Sequence, residues 1–246
     1  MKHFLLLLSV VISSITINAQ ATKKKTTTRP ATPKVTQTAT TTPVSKERLV
    51  EITTDYGIMI ARLYDATPLH RDNFIKLIQK GFYDSLLFHR VIKGFMIQGG
   101  DPVSKHADSL AILGGGEVTG QPRIPAEFNH NLIHKKGALA AARDGNPEKA
   151  SSNCQFYIVQ GNKIDTAQLR QMYEQRIKPN NPNFSYTEQQ KEMYHRIGGT
   201  PFLDQNYTVF GEIISGLNVI DKIASLQTRP GDRPIKDVRM KIRMLN

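Results

Sequence analysis

Between residues 48 and 244 the apolar side chains come in short runs, many of them separated by glycine. The last run is the most restrictive: Val238, Met240, Ile242 and Met244 alternate with Arg239, Lys241 and Arg243. A period of two is satisfied by a strand with one buried face and one wet face, and by no helix. Strand-like runs recur at 86–91, 95–98, 137–142, 155–160 and 207–213, and residues 48–63 read as two paired strands around Asp55-Tyr56-Gly57. Two helical patterns interrupt them. Thr67-Pro68 opens one that puts Phe74, Leu77 and Ile78 on a single face and ends at Gly81. The other, 217–226, buries Val219, Ile220 and Ile223. The expected fold is all-β, closed as a barrel or stacked as a sandwich, and periodicity does not choose between them.

Residues 161–198 depart from this pattern. Asp165-x-x-Gln168 and Ser185-x-x-Glu188 each have the form of a capping box, and Lys178 to Phe184 (KPNNPNF) interrupts whatever helix precedes it. The segment reads as a helical hairpin inserted into a β domain, either packed on it as decoration or contacting a substrate or partner.

The formal net charge of +12 suggests a nucleic-acid partner until it is located. Residues 1–46 carry seven basic residues and no acid, which leaves 26 basic against 21 acidic residues in 47–246. A domain at +5 is a poor DNA-binding surface, and no nucleic-acid partner is expected. The N-terminus supplies another use for the charge. Lys2 and His3 precede an apolar stretch from Phe4 to Ile12, and Ser13 to Ala19 then turn small and polar. That is the layout of a secretory signal peptide at 1–19, although Ile17 is large for its place before a cut after Ala19. The apolar stretch is short for crossing about 30 Å of hydrocarbon, so no stable membrane span is expected after signal removal. Residues 20–46, with ten Thr and three Pro, read as a flexible linker, with weak attraction to an anionic surface through its lysines as a sharper alternative. The domain proper is 47–246, exported, with the periplasm as its expected compartment and the extracellular space as the alternative. Its one cysteine, Cys154, permits no internal disulfide and no Cys-based zinc site, and reads as a buried or rim thiol and not a nucleophile.

The densest polar and aromatic cluster is Phe88-His89-Arg90-Val91-Ile92-Lys93-Gly94-Phe95-Met96-Ile97-Gln98-Gly99-Gly100-Asp101. Strand alternation sends Arg90 and its even-numbered neighbours to one face. By spacing alone, an arginine near aromatic and thioether groups is equally an ordinary cation–π contact at a rim. This segment resembles the signature of the cyclophilin-type peptidyl-prolyl cis-trans isomerases. So do Ile124-Pro125-Ala126-Glu127-Phe128, the stretch Gly137 to Arg143 with Ser151 to Ile158, and Thr200 to Asp204 with Tyr207 to Gly211. The resemblance spans about 48–246 apart from 161–198.

The resemblance implies a closed eight-stranded antiparallel barrel capped by two helices, with a groove on its outer surface. It implies isomerisation of X–Pro bonds in unfolded or partly folded polypeptides, without cofactor or metal. The family's catalytic arginine would be Arg90. Phe95, Met96, Tyr157 and Leu203 would floor the proline pocket, and Gln98 would hold the substrate backbone. Ala142 and Arg143 would flank the neighbouring peptide, with Gln155, Phe202 and Tyr207 lining the groove. Tyr157 stands where the family often has Phe, Phe202 where many eukaryotic members have Trp, and Tyr207 in place of a histidine. The Tyr157 hydroxyl therefore needs water or a partner. A non-catalytic chaperone or proline-peptide-binding module is the alternative. His130 and His134, four apart, lack the glutamate of a zinc-protease motif and read as satisfied or surface histidines.

Overall fold

The computed structural model describes residues 48–245, and the signal peptide and linker read in 1–46 lie outside them. Eight strands form one antiparallel sheet: β1 (Arg48–Thr54), β2 (Gly57–Leu63), β3 (Arg90–Ile92), β4 (Met96–Gly99), β5 (Ala138–Ala141), β6 (Phe156–Val159), β7 (Val209–Ser215) and β8 (Met240–Met244). Among the described residues the α-helices are α1 (Pro68–Gln79), α2 (Thr166–Met172), α3 (Glu188–Arg196) and α4 (Leu217–Ala224).

The closed barrel with two capping helices is not what forms. The strand order β3-β4-β6-β5-β7-β2-β1-β8 leaves β3 and β8 as unpaired edges of an open, strongly curled half-barrel, and the helices number four among the described residues. Of the run 86–91, only Arg90 and Val91 become strand; the Leu87 N–H bonds the Ser104 hydroxyl at 3.1 Å and Ser85 sits at φ 70°. Across the gap, 85–88 meets the approach to β8 through Phe88 N–H to Val238 O and Met240 N–H to Leu86 O, both 2.9 Å, and one bridge between Leu87 and Arg239. Those contacts lie outside any ladder joining the two edges.

The inner face carries the main core. Phe74, Leu77 and Ile78 of α1 and Val219, Ile220 and Ile223 of α4 pack against Val50, Ile52, Leu139, Phe156, Ile158 and Ile242. Phe74 meets Phe156 and Phe210 edge-on at centroid distances of 5.4 and 5.2 Å, a favoured geometry for aromatic pairs. Thr67 makes no side-chain cap for α1. Glu127 instead accepts from the Leu69 and His70 N–H groups, both at 3.0 Å, and so satisfies two of the helix's orphan donors from a loop.

The insertion has its own small core of Ile164, Leu169, Ile177, Phe184, Tyr186 and Tyr194, joined by Ile133. Its first capping box is Asp165/Gln168, as the sequence suggests. Its second is Thr187/Gln190 and not Ser185/Glu188, two residues further on. At the neck the two ends close on each other, with Gly199 N–H to Asn162 O at 3.0 Å. Gly161 (φ 61°) and Gly199 approach so closely that a side chain on Gly161 would overlap the Gly199 backbone.

Candidate active site

The outer face of the same sheet carries the residues singled out by sequence. Turning at Gly94 (φ 77°), the chain pairs Arg90 of β3 with Gln98 of β4. Gln98 pairs in turn with Tyr157 of β6, and Tyr157 with Ala140 of β5. Direct cross-strand partners project to one face, so Arg90, Gln98, Tyr157 and Ala140 form a single row across four strands. Their neighbours Val91, Ile97, Ile158 and Leu139 form the parallel row on the inner face, in the main core.

Around the row lies a second apolar cluster, separate from the main core. It contains Met96, Ala140, Ala142, Tyr157 and Leu203, with the half-buried rings of Phe95, Phe202 and Tyr207 packed against it. Phe95 and Phe202 face each other at 5.6 Å, and Tyr207 meets Tyr157 edge-on at 6.0 Å. Leu203 and Phe202 are carried by the short 3-10 turn Pro201–Leu203. The Arg143 guanidinium lies 4.6 Å above the Tyr207 ring, and its Nε–H donates to Asn206 O at 2.9 Å. Phe95, Met96, Ala142, Tyr157, Phe202, Leu203 and Tyr207 are thus brought together, with Gln98 paired to Tyr157 across the ladder and Gln155 accepting the Ala142 N–H at 3.0 Å.

The polar residues link up along one edge. Arg90 donates to Gln98 Oε1 at 3.4 Å, Gln98 donates to Gln155 Oε1 at 3.1 Å, and Gln155 donates to the carbonyls of Gly114 and Gly116 at 3.0 and 2.8 Å. Gln155 is buried and fixed, whereas Arg90 is 41% exposed and held loosely, with Asp232 Oδ2 3.4 Å from its Nε. One of its five N–H donors bonds Gln98 and its Nε faces the Asp232 carboxylate, which leaves donors to meet a ligand.

Sequence reasoning passed over Asp232, and it passed over the partner of Tyr157. The Tyr157 hydroxyl lies 3.0 Å from His134 Nε2, and His134 Nδ1 lies 2.7 Å from Asp204 Oδ1. The signal was present in the tyrosine itself, since a buried phenol requires a partner. His130 goes elsewhere, exposed and edge-on to Phe184 at 5.4 Å. Among the described residues no group of three or more His, Cys, Asp or Glu side chains could hold a metal ion. The insertion touches the site through the Arg176 guanidinium, 6.0 Å from the Phe202 ring centroid. A groove of about 560 Å³ runs within the insertion between α2 and α3, past Leu169, Tyr173, Tyr186 and His195, and none of the sequence-predicted site residues lines it.

The chain matches the family of cyclophilin type peptidyl-prolyl cis-trans isomerases over residues 49–243. A putative peptidyl-prolyl cis-trans isomerase of Staphylococcus saprophyticus is 34% identical over 186 residues, covering 75% of this chain and 85% of its own. One from Staphylococcus aureus matches at the same identity and coverage. A crystal structure of a cyclophilin type peptidyl-prolyl cis-trans isomerase from Cryptosporidium parvum is similar in fold, with a TM-score of 0.57 at 24% identity, covering 82% of this chain and 99% of that one.

Proposed function

Because the chain belongs to the cyclophilin-type peptidyl-prolyl cis-trans isomerases, we propose that it twists X–Pro bonds on the outer row of its sheet, with Arg90 as the catalytic residue. The observation that carries this reading is the register Arg90–Gln98–Tyr157–Ala140, beside an apolar cluster containing Met96, Leu203 and Phe95.

An X–Pro bond turns slowly because its C–N bond has partial double-bond character, with a barrier of about 20 kcal/mol. No bond has to break, so the protein needs only to favour the twisted amide over the planar one. As conjugation is lost, the prolyl nitrogen becomes pyramidal and regains a lone pair. A donor aimed at that nitrogen gains strength only in the transition state, which raises the rate and not merely the affinity. Arg90 suits the role: it stays charged, and its Nε side is turned toward Asp232, so the remaining N–H groups can point to substrate. Phe95, Met96, Tyr157 and Leu203 would grip the proline ring, so that the preceding carbonyl rotates against a fixed group. Gln98, braced by Gln155, would hold the peptide backbone in register. Phe202, Tyr207, Ala142 and Arg143 would border the chain on either side.

The substrates in this reading are unfolded or partly folded proline-containing polypeptides, met after export into the periplasm. The support for export is the pattern of residues 1–19, and a mature N-terminus at Gln20 in protein recovered from the periplasmic fraction tests it. The activity is tested on a Xaa-Pro peptide by exchange NMR, with Arg90→Ala alongside wild type. Loss of one such donor is expected to lower kcat/KM by about 100-fold or more with the fold intact. A folded Arg90→Ala variant at the wild-type rate removes Arg90 from the mechanism.

A further inference from the structure

The insertion reaches the proline site through one chain of buried hydrogen bonds. Asp204 follows the turn that carries Phe202 and Leu203, and its own N–H bonds Pro201 O at 2.9 Å. Its side chain is wholly buried and accepts four hydrogen bonds. Oδ1 receives the His134 backbone N–H at 2.8 Å and His134 Nδ1–H at 2.7 Å. Oδ2 receives the hydroxyls of Tyr186 at 2.6 Å and Tyr194 at 2.5 Å, both supplied by the insertion. A carboxylate offers about four lone-pair sites, so this one is saturated.

The bonding of Asp204 decides the far side of His134. With Nδ1 held by the carboxylate, the imidazole turns Nε2 to the Tyr157 hydroxyl 3.0 Å away. The two rings also stack, with centroids 6.1 Å apart and planes 14° from parallel. Burial, reinforced by Asp204, pushes the hydroxyls of Tyr186 and Tyr194 far above the ordinary tyrosine range, and burial does the same to Tyr157. All three remain donors at any pH the protein meets.

We propose that Tyr186 and Tyr194 are positioning residues for the proline pocket, holding Asp204 and His134 in the one arrangement that fixes the Tyr157 ring. The inference rests on the reading of Tyr157 as part of the pocket floor. The pocket floor depends on this carboxylate through His134, which meets the Tyr157 hydroxyl. The hairpin is then a buttress and not decoration. A displaced pocket floor weakens the grip on proline in the ground and transition states alike, so the expected signature is a raised KM with kcat little changed.

The test uses Tyr186→Phe and Tyr194→Phe in the full chain, each removing a single oxygen atom, made both in wild type and in a Tyr157→Phe background. In wild type each is expected to raise KM about three- to tenfold with kcat within about twofold. In the Tyr157→Phe background, where no hydroxyl links ring to network, the same changes are expected to leave KM within about twofold of that parent. A role confined to stability would lower the melting temperature in both backgrounds and leave KM alone. The proposal is overturned by an unchanged KM in folded variants, by an equal rise in both backgrounds, or by loss of cooperative melting in both single variants. Arg90→Ala, measured in parallel, separates the two levels. If it keeps the wild-type rate, the site reading fails; if it loses the rate while the tyrosines show no coupling, only the buttress fails.

Discussion

His89, next to Arg90 in sequence, should make the stability of this protein pH-dependent in a window where few other groups contribute. Its ring is buried, and burial lowers its pKa to about 4 although Asp101 pulls the other way. A histidine that is neutral when folded and ordinary when unfolded binds its proton first in the unfolded chain. Stability is therefore complete above about pH 6.5 and is lost as pH falls toward 4. At 1.36 kcal/mol per unit, the whole loss is about 3 kcal/mol, of which about 2 kcal/mol falls between pH 7 and pH 5. The depressed carboxylates Glu212 and Asp221, ion-paired to Arg62 and Lys135 and to Lys136 respectively, act at lower pH. A folded pKa below the unfolded one removes stability only as pH drops through the carboxylate range. His70, also lowered by burial, shares the upper window and is common to both proteins compared. Urea unfolding of wild type and His89→Leu at pH 7 and pH 5 isolates the effect, because any pH-independent cost of the substitution cancels in the double difference. Wild type should lose about 2 kcal/mol more than the variant over that interval. Equal losses would refute the assignment of a buried neutral imidazole at this position.

Two further outcomes follow from backbone and thiol environment. Gly100 sits at φ 95° with Gln155 Cα only 3.0 Å from where a Cβ would lie, so Gly100→Ala should cost about 3 kcal/mol or prevent folding. Gly115, with nothing within 4 Å of its Cβ position, should accept alanine within about 0.5 kcal/mol; chemical denaturation of both variants checks the contrast. The Cys154 thiol is buried, and burial pushes its pKa up to about 12, so at pH 8 alkylation should proceed only at the rate of unfolding. Rapid modification of native protein, followed by mass spectrometry, would contradict that.

How much of this was legible in the sequence depended on how far apart the deciding partners lie. The alternation at 238–244 needs only neighbours, and its β8 portion is strand with Met240 and Ile242 inward. The α1 and α4 faces were readable for the same reason. In the run 86–91 only Arg90 and Val91 are strand, and the Leu87 N–H finds its acceptor 17 residues on, in the Ser104 hydroxyl, where no local pattern shows it. The second capping box was placed too early: both Ser185/Glu188 and Thr187/Gln190 fit the pattern, and the structure turns Tyr186 inward to Asp204, beginning the helix after Thr187. His134 read as one of a spaced pair, yet its partner Asp204 is 70 residues away and its other contact is Tyr157. Local pattern identifies which residues are polar and buried, and long-range pairing decides what they do.

The open edge bears on the site more than on the core. β5 and β6 are buried at every position, so both of their faces are covered and periodicity cannot tell the inner core from the outer cluster. What distinguishes the outer face is its incomplete cover. Leu203 lies over it from a short turn, and Phe95 and Phe202 remain half-buried at its margin. Arg90 lies at the end of that face because β3 is an edge strand. On its free side the Val91 N–H bonds Asp232 O at 2.8 Å, and the same residue turns its carboxylate to Arg90 Nε. A sheet closed by β8 against β3 would place a ladder where Asp232 now stands and give that N–H to a strand. The half-barrel instead leaves the arginine part-exposed, beside an acid from a loop and next to the apolar cluster, a placement in keeping with the donor role proposed for it.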